Sequence, residues 1–276
     1  MSRKANHLKN LEAYTVKDHV WISSRGKRLS AMLHMPSDAN KDTPVIICCH
    51  GFTGDKTGAN QLTLNLAKTL EQAGYIVIRF DFLGSGESDG DFPSDTVVAG
   101  WQEDLSNVVM WAKRQSRFIT SPIILYGHSL GGLVVLTHSA MNQDISGRIV
   151  FAPVVNPIAN FRDVILGPAL WSKSLEGKTI SNFFAKGFKL EGQFVKDLVE
   201  KNYDPIGAAS VLTTPLLIIH GVEDIAVPIQ GSIDLYKRYK GPKLLQKPDI
   251  DHVATGKYDV LPKIVLEWLT TEFPLG

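Results

Sequence analysis

The stretch Pro122-Ile-Ile-Leu-Tyr-Gly-His-Ser-Leu-Gly-Gly-Leu-Val-Val-Leu136 decides the fold. Pro122 to Tyr126 is a short apolar run of the kind that a sheet buries on both faces. Leu133 to Leu136 reads as the body of a helix. Between them, Gly127-His-Ser-Leu-Gly-Gly132 carries the spacing G-x-S-x-G, and the strand before and helix after make that spacing informative. A serine squeezed between strand and helix sits on a strained turn, with small neighbours because other backbone passes close by. Such a turn lifts the Ser129 hydroxyl above the sheet edge. It also places the hydroxyl at the positive end of the helix dipole, where developing negative charge is favoured.

Outward from this turn the chain alternates β runs with helical periods. Asp18 to Ser23 and Arg28 to His34 read as a hairpin turned at Gly26. Val45 to Cys49, Tyr75 to Phe80, Arg148 to Phe151, Pro215 to Ile219 and Lys243 to Gln246 are further strands. Leu62, Leu66 and Leu70 form a helical stripe, as do Trp101, Leu105, Val108, Val109 and Ala112. A last helix carries Leu261, Ile264, Val265, Trp268 and Leu269 on one side. Alternation of this kind predicts an α/β fold: a mostly parallel sheet of about eight strands flanked by helices. One segment breaks the rhythm. Residues 153–205 hold no strand–helix unit but contain seven aromatics, Phe161, Trp171, Phe183, Phe184, Phe188, Phe194 and Tyr203. A connection that long implies an inserted lid, dividing the chain into a first core part (1–152), the lid (153–205) and a second core part (206–276).

Composition removes several classes of function. At 44% hydrophobic, with 29 Lys+Arg against 28 Asp+Glu, the chain is neither disordered nor a nucleic-acid binder. No apolar run reaches the ~18 residues of a membrane span, and the first ten residues lack the apolar core of a secretory signal, so a soluble, cytoplasmic protein is expected. Cys48 and Cys49 are adjacent in a strand and point to opposite faces, so they read as small buried residues rather than a disulfide or a metal site.

A serine needs a base before it is a useful nucleophile. Of the eight histidines, His252 lies in a loop between the short strand at Lys243 and the last helix, beyond a strand's carboxyl end. His128 adjoins the serine but is expected to point away from it. The base in turn needs a carboxylate to fix its tautomer. Asp224, just after the strand Leu216 to Ile219, is preferred over Glu223, Asp249 and Asp251 on its strand-end position. The backbone N–H of Leu130, and that of Phe52 in His50-Gly-Phe-Thr-Gly54, would form an oxyanion hole. Asp81 to Gly90 lacks the spacing of a phosphate loop and reads as a tight structural turn.

Taken together, His50-Gly-Phe-Thr-Gly54, Arg79-Phe-Asp-Phe-Leu-Gly-Ser-Gly-Glu-Ser88, Gly127-His-Ser-Leu-Gly-Gly132, Gly221-Val-Glu-Asp224 and Asp251-His252 resemble an α/β-hydrolase serine esterase. The order serine, acid, histidine is the one that fold requires. Within the superfamily the chain is most similar to bacterial feruloyl (cinnamoyl) esterases, which carry a lid after the sixth strand. The resemblance implies a serine carboxylesterase acting on esters of hydroxycinnamic or short to medium acyl groups. It departs at Leu130, where those enzymes often have Gln. Some of them hold the phenol with a Tyr and an Asp of the lid; Asp163 is a counterpart for the acid, and no Tyr matches. Asp163, Trp171, Phe183, Phe184 and Phe188 are the expected substrate contacts. No cofactor and no metal are expected, and the oligomeric state is left open, a homodimer being one option. A lipase or monoacylglycerol lipase, a thioesterase, a peptidase or a non-catalytic binding protein on the same scaffold are the alternatives.

Overall fold

In a computed structural model of the chain, residues 16–138, 145–183 and 187–276 are described. The chain opens with the expected hairpin, β1 (Val16–Ser24) and β2 (Lys27–Met35), turned through Arg25 and Gly26, both at positive φ. Two successive positive-φ residues give the turn whose twist matches the strands it joins. β3 (Val45–Cys49), α1 (Leu62–Gln72) and β4 (Ile76–Phe80) follow, then α2 (Phe92–Asp95), α3 (Val98–Arg114), β5 (Ile123–His128), α4 (Leu130–Thr137) and β6 (Gly147–Phe151). After an insert come β9 (Leu216–Ile219), α9 (Gln230–Arg238), β10 (Lys243–Gln246) and α10 (Val260–Glu272).

Eight of these strands form one sheet in the order β1-β2-β4-β3-β5-β6-β9-β10. β1 and β2 pair antiparallel, β2 meets β4 antiparallel, and every later pairing is parallel. The inner parallel strands β3, β4, β5, β6 and β9 are buried on both faces because helices cover both, whereas β10 at the sheet edge is partly exposed. Ile46, Tyr126, Ile149 and Leu217 pack with α1 and α10 on one face. Ile47, Leu125, Val150 and Ile218 pack with α3, α4 and α9 on the other. Cys48 and Cys49 are free and buried within β3, and burial pushes the Cys48 thiol up to about 12. Among the described residues no helix is long and apolar enough to cross a membrane.

The insert between β6 and β9 is built of short pieces: α5 (Pro157–Asn160), a π-helical turn (Phe161–Ile165), α6 (Pro168–Leu175), a two-residue ribbon of β7 (Ile180–Ser181) and β8 (Lys189–Leu190), α7 (Gln193–Lys201) and α8 (Pro205–Ala209). Its Asp197 carboxylate accepts from the Val98 and Ala99 N–H groups that open α3, at 3.0 and 3.4 Å, and from the Tyr203 hydroxyl at 3.1 Å. The first N–H groups of a helix have no partner inside it, and α3 has no cap from its own preceding residue. The insert therefore caps a core helix and is tied to the core at that point.

Topology sets the place of the site. β3 and β5 are neighbours with Cys49 opposite Gly127, so the chain leaving β3 and the chain leaving β5 emerge side by side. β6 and β9 continue the row, and the loops after β9 and β10 open on the same edge.

Candidate active site

Ser129 occupies the turn between β5 and α4 at φ 55°, a conformation that a residue with a Cβ adopts only under constraint. The constraint is visible. Ser129 N–H donates to the Phe151 carbonyl at 2.9 Å, and the Ser129 carbonyl accepts from Gly132 and Val154 at 2.9 and 3.1 Å. A Cβ at Gly127 would lie 2.4 Å from the Gly131 carbonyl oxygen, and one at Gly131 would lie 2.5 Å from those of Cys49 and His50. Glycine at these two positions is thus a packing requirement of the turn.

On the far side of the same opening, His252 Nδ1–H donates to Asp224 Oδ2 at 2.7 Å. The Asp224 side chain is fully buried, whereas that of His252 is 20% exposed. The other Asp224 oxygen accepts from the Ala226 and Val227 N–H groups at 2.8 and 2.9 Å. Burial by itself would raise this carboxyl, but hydrogen bonds from His220, His252 and Val227 outweigh it and hold it well below the usual carboxylate range. Asp224 thus stays ionised, and its hydrogen bond holds the His252 ring at the edge of the opening. The competing acids are placed otherwise. Asp249 faces Lys257 at the surface, Glu223 lies 3.7 Å from the same lysine, and Asp251 caps its own loop through Val253 and Thr255 N–H.

Ser129 and His252 line one cavity of about 310 Å³. The Ser129 hydroxyl forms no hydrogen bond with His252, a looseness seen in many hydrolases before substrate tightens the site. The loop after β3 passes over the serine, so that a Cβ at Gly51 would lie 3.1 Å from that of Ser129. His50 fixes this loop. Its Nδ1–H donates to the Gly51 carbonyl at 2.9 Å, and its Nε2 accepts from Phe82 N–H at 3.2 Å. The Phe52 ring is held among Phe92, Phe161, Phe183 and Phe194 at centroid distances of 5.1–5.6 Å. Neither Phe52 N–H nor Leu130 N–H is engaged by a backbone acceptor, so both can donate to an oxygen held above Ser129.

His128 does not turn away from this centre as expected. Its Nε2–H donates to the His252 carbonyl at 2.9 Å, and the two rings lie 4.8 Å apart. β5 runs through His128, and the parallel register leaves its ring between Phe151 and the His252 loop. Burial, and then the neighbouring His252, lower this imidazole to about 3, so it remains a neutral donor.

The expected lid contacts are mostly elsewhere. Trp171 and Phe183 are buried in the apolar packing of the insert, Phe183 behind Phe52. Phe188 packs on Phe92, and Asp163 is paired with Arg162 at 2.6 Å on the surface. None of these four lines the cavity at Ser129. Phe184 lies outside the described residues. The insert reaches the cavity instead through Asn160, Phe161 and Ile165, and the loop after β3 adds Thr53 and Asp55. Asp55 gives the cavity a carboxylate, which the balanced charge of the insert did not foretell. It makes no ion pair among the described residues, and its Oδ1 accepts from Thr57 and Gly58 N–H. No group of three or more His, Cys, Asp or Glu among the described residues could hold a metal ion.

Comparison with known proteins agrees with this arrangement. An uncharacterized 31.7 kDa protein of Escherichia coli is 38% identical over 108 residues, which is 39% of this chain and 36% of that protein, so the match spans about a third of its length. The mouse mitochondrial palmitoyl-protein thioesterase ABHD10 is 25% identical over 227 residues, 79% of this chain and 72% of its own. Among solved structures, Est1E from Butyrivibrio proteoclasticus with ferulic acid bound superposes with a TM-score of 0.80 at 27% identity, covering 93% of this chain and all of that one. Mouse ABHD10 superposes at 0.72 and 19% identity, covering 92% of this chain and 99% of its own, a likeness of fold. Residues 40–188 match the family described as "Serine aminopeptidase, S33". That match covers more than half of the chain, and with the eight-stranded sheet it makes this protein a member of that α/β-hydrolase family.

Proposed function

We propose that the protein is a serine carboxylesterase that cleaves esters of hydroxycinnamic or short to medium acyl groups through an acyl-enzyme. The observation that carries the reading is the buried Asp224–His252 pair facing the cavity into which the strained turn presents Ser129. In this mechanism His252 Nε2 takes the Ser129 proton as Oγ attacks the ester carbonyl. The new imidazolium is stabilised by Asp224, and the oxyanion by Phe52 and Leu130 N–H. His252 then gives its proton to the departing alkoxide, leaving acyl-Ser129 and free alcohol. Water, deprotonated by the same imidazole, attacks the acyl carbon and releases the carboxylic acid, and the proton returns to Ser129.

The acyl preference is supported by the ferulate complex of the similar Est1E and by an aromatic wall at Phe52 and Phe161. A cavity near the small end of the ligand-pocket range suits a planar aryl or short acyl group. Residues 153–205 act as the lid in this reading, through Asn160, Phe161 and Ile165. The test is a panel of methyl hydroxycinnamates, short aryl esters and long-chain triglycerides. Hydrolysis of the first two with loss in Ser129→Ala is the expected result. Preference for triglyceride would replace the reading by a lipase.

Asp55 favours a second reading. A carboxylate on the cavity wall suits a substrate with a free amino group, as the family's description would require of an aminopeptidase. Aminoacyl anilides distinguish the two readings, since an aminopeptidase cleaves them at rates comparable to esters and an esterase does not. In either case Asp55→Asn keeps the Oδ1 acceptor for Thr57 and Gly58 and removes the charge. It should raise kcat/KM for anionic relative to cationic esters by roughly tenfold at low salt.

A further inference from the structure

Beside the cavity at Ser129 lies a second, mostly aliphatic cleft of about 350 Å³, walled by Val155, Ala159, Val164, Val227 and Pro228 with Asn156 and Asp163 beside them. Asn160 lines both spaces. Neighbouring residues divide between them: Val154 and Ala226 face the cavity, while Val155 and Val227 face the cleft. One thin wall therefore separates the two, and a single side chain bolts it. Asn160 Nδ2–H donates to the Ala226 carbonyl at 2.8 Å, joining the insert to the loop that carries Asp224.

The bolt is imperfect. Asn160 is 95% buried, and its Oδ1 has no hydrogen-bond partner, although a buried acceptor left unpaired is costly. Rotating the side chain would break one side-chain hydrogen bond, the one to Ala226. Asn160 also sits where α5 passes into the π-helical turn Phe161–Ile165, and such wide turns recur at functional positions.

We propose that Asn160 is a length gate: closed, it confines substrates to the cavity at Ser129, and displaced, it admits a linear alkyl arm into the aliphatic cleft. The proposal rests on the reading of Ser129 as the nucleophile. The ligand chemistry is an unbranched neutral alkyl chain, carried by either the acyl or the alcohol part of the ester. Val155, Ala159, Val164, Val227 and Pro228 supply burial to such a chain, with Asn156 and Asp163 the polar members of the lining, so the gain per methylene ends where the cleft ends.

The test compares wild type, Asn160→Ala and Asn160→Ala/Ala159→Phe on p-nitrophenyl esters of two to sixteen carbons and on a matching series of alkyl acetates. Ala159 is exposed and lines the cleft, so Phe there fills it. Asn160→Ala is expected to raise kcat/KM for twelve-carbon relative to four-carbon chains by at least about tenfold. The second substitution is expected to cancel that gain, and the series that responds identifies the arm. Equal loss at all lengths, or an unchanged profile, would overturn the gate and leave Asn160 as a brace for the Asp224 loop. Calorimetric binding of a dodecanoyl ester in the Ser129→Ala background separates the gate from the chemistry. Tighter binding once Asn160 is also Ala supports the gate even if Ser129 proves not to be the nucleophile, and unchanged binding contradicts it.

Discussion

The Asp224 carboxylate receives four hydrogen-bond donors or near donors: His252, Ala226 and Val227 N–H, and His220 Nε2 at 3.4 Å. Removing its charge should cost far more than removing that of a nearby acid. Asp224→Asn is expected to lower kcat by roughly 10⁴ with the fold intact, because the His252 tautomer is no longer fixed. Asp251→Asn should stay within about threefold, since Asp251 serves only its own loop. Steady-state kinetics decide, and the reverse pattern would mean the wrong acid. At this scale the sequence was partly legible. Ser129 stands out because its glycines and flanking strand and helix are local signals. His252 and Asp224 stand out by their strand-end positions, and the structure pairs these two beside the cavity that Ser129 lines. Asp55, Asn160 and the true orientation of His128 were not legible, because each depends on a contact between segments distant in the chain. For His128 the signal was nearly present: a histidine in the last position of a central strand must face some neighbouring loop.

At the scale of elements, the sheet and its helices could be read because each strand is a short apolar run and each helix carries one apolar stripe. The insert could be recognised but not resolved. Its aromatics were expected to line the substrate pocket, yet Trp171, Phe183 and Phe194 lie in the apolar packing, with Phe183 and Phe194 behind Phe52. Aromatic content reports burial and does not say what is buried against what. The insert also serves the core through Asp197 at the start of α3, where it stands in for a missing helix cap. Asp197→Ala should therefore destabilise the whole protein by about 1 kcal/mol, or roughly 2–4 °C in Tm. Thermal unfolding checks this, and an unchanged Tm would show that the contact contributes nothing.

At the scale of the whole molecule, four histidines among the described residues are buried with lowered proton affinity: His34, His50, His128 at about 3 and His138 at about 4, burial being the leading cause in each. The unfolded chain takes up protons on these rings below about pH 6.5, while the folded chain does not. Stability is therefore fully present above that pH and is lost as the pH falls toward 4, with a slope of roughly two to four protons at about 1.4 kcal/mol per unit each. Denaturant unfolding between pH 8 and pH 5 measures it, and a flat profile would contradict the neutral, buried assignment. Two of these rings hold the site together, since His50 fixes the loop over Ser129 and His128 holds the loop of His252. In the proposed mechanism this assembly makes Ser129 a nucleophile. The intact mass and peptide map of the protein after reaction with an aryl fluorophosphonate test that directly. One adduct is expected, on the peptide containing Ser129, absent from Ser129→Ala and strongly slowed in His252→Ala. An unmodified Ser129 peptide in protein that hydrolyses esters, or an adduct that persists in Ser129→Ala, would contradict it.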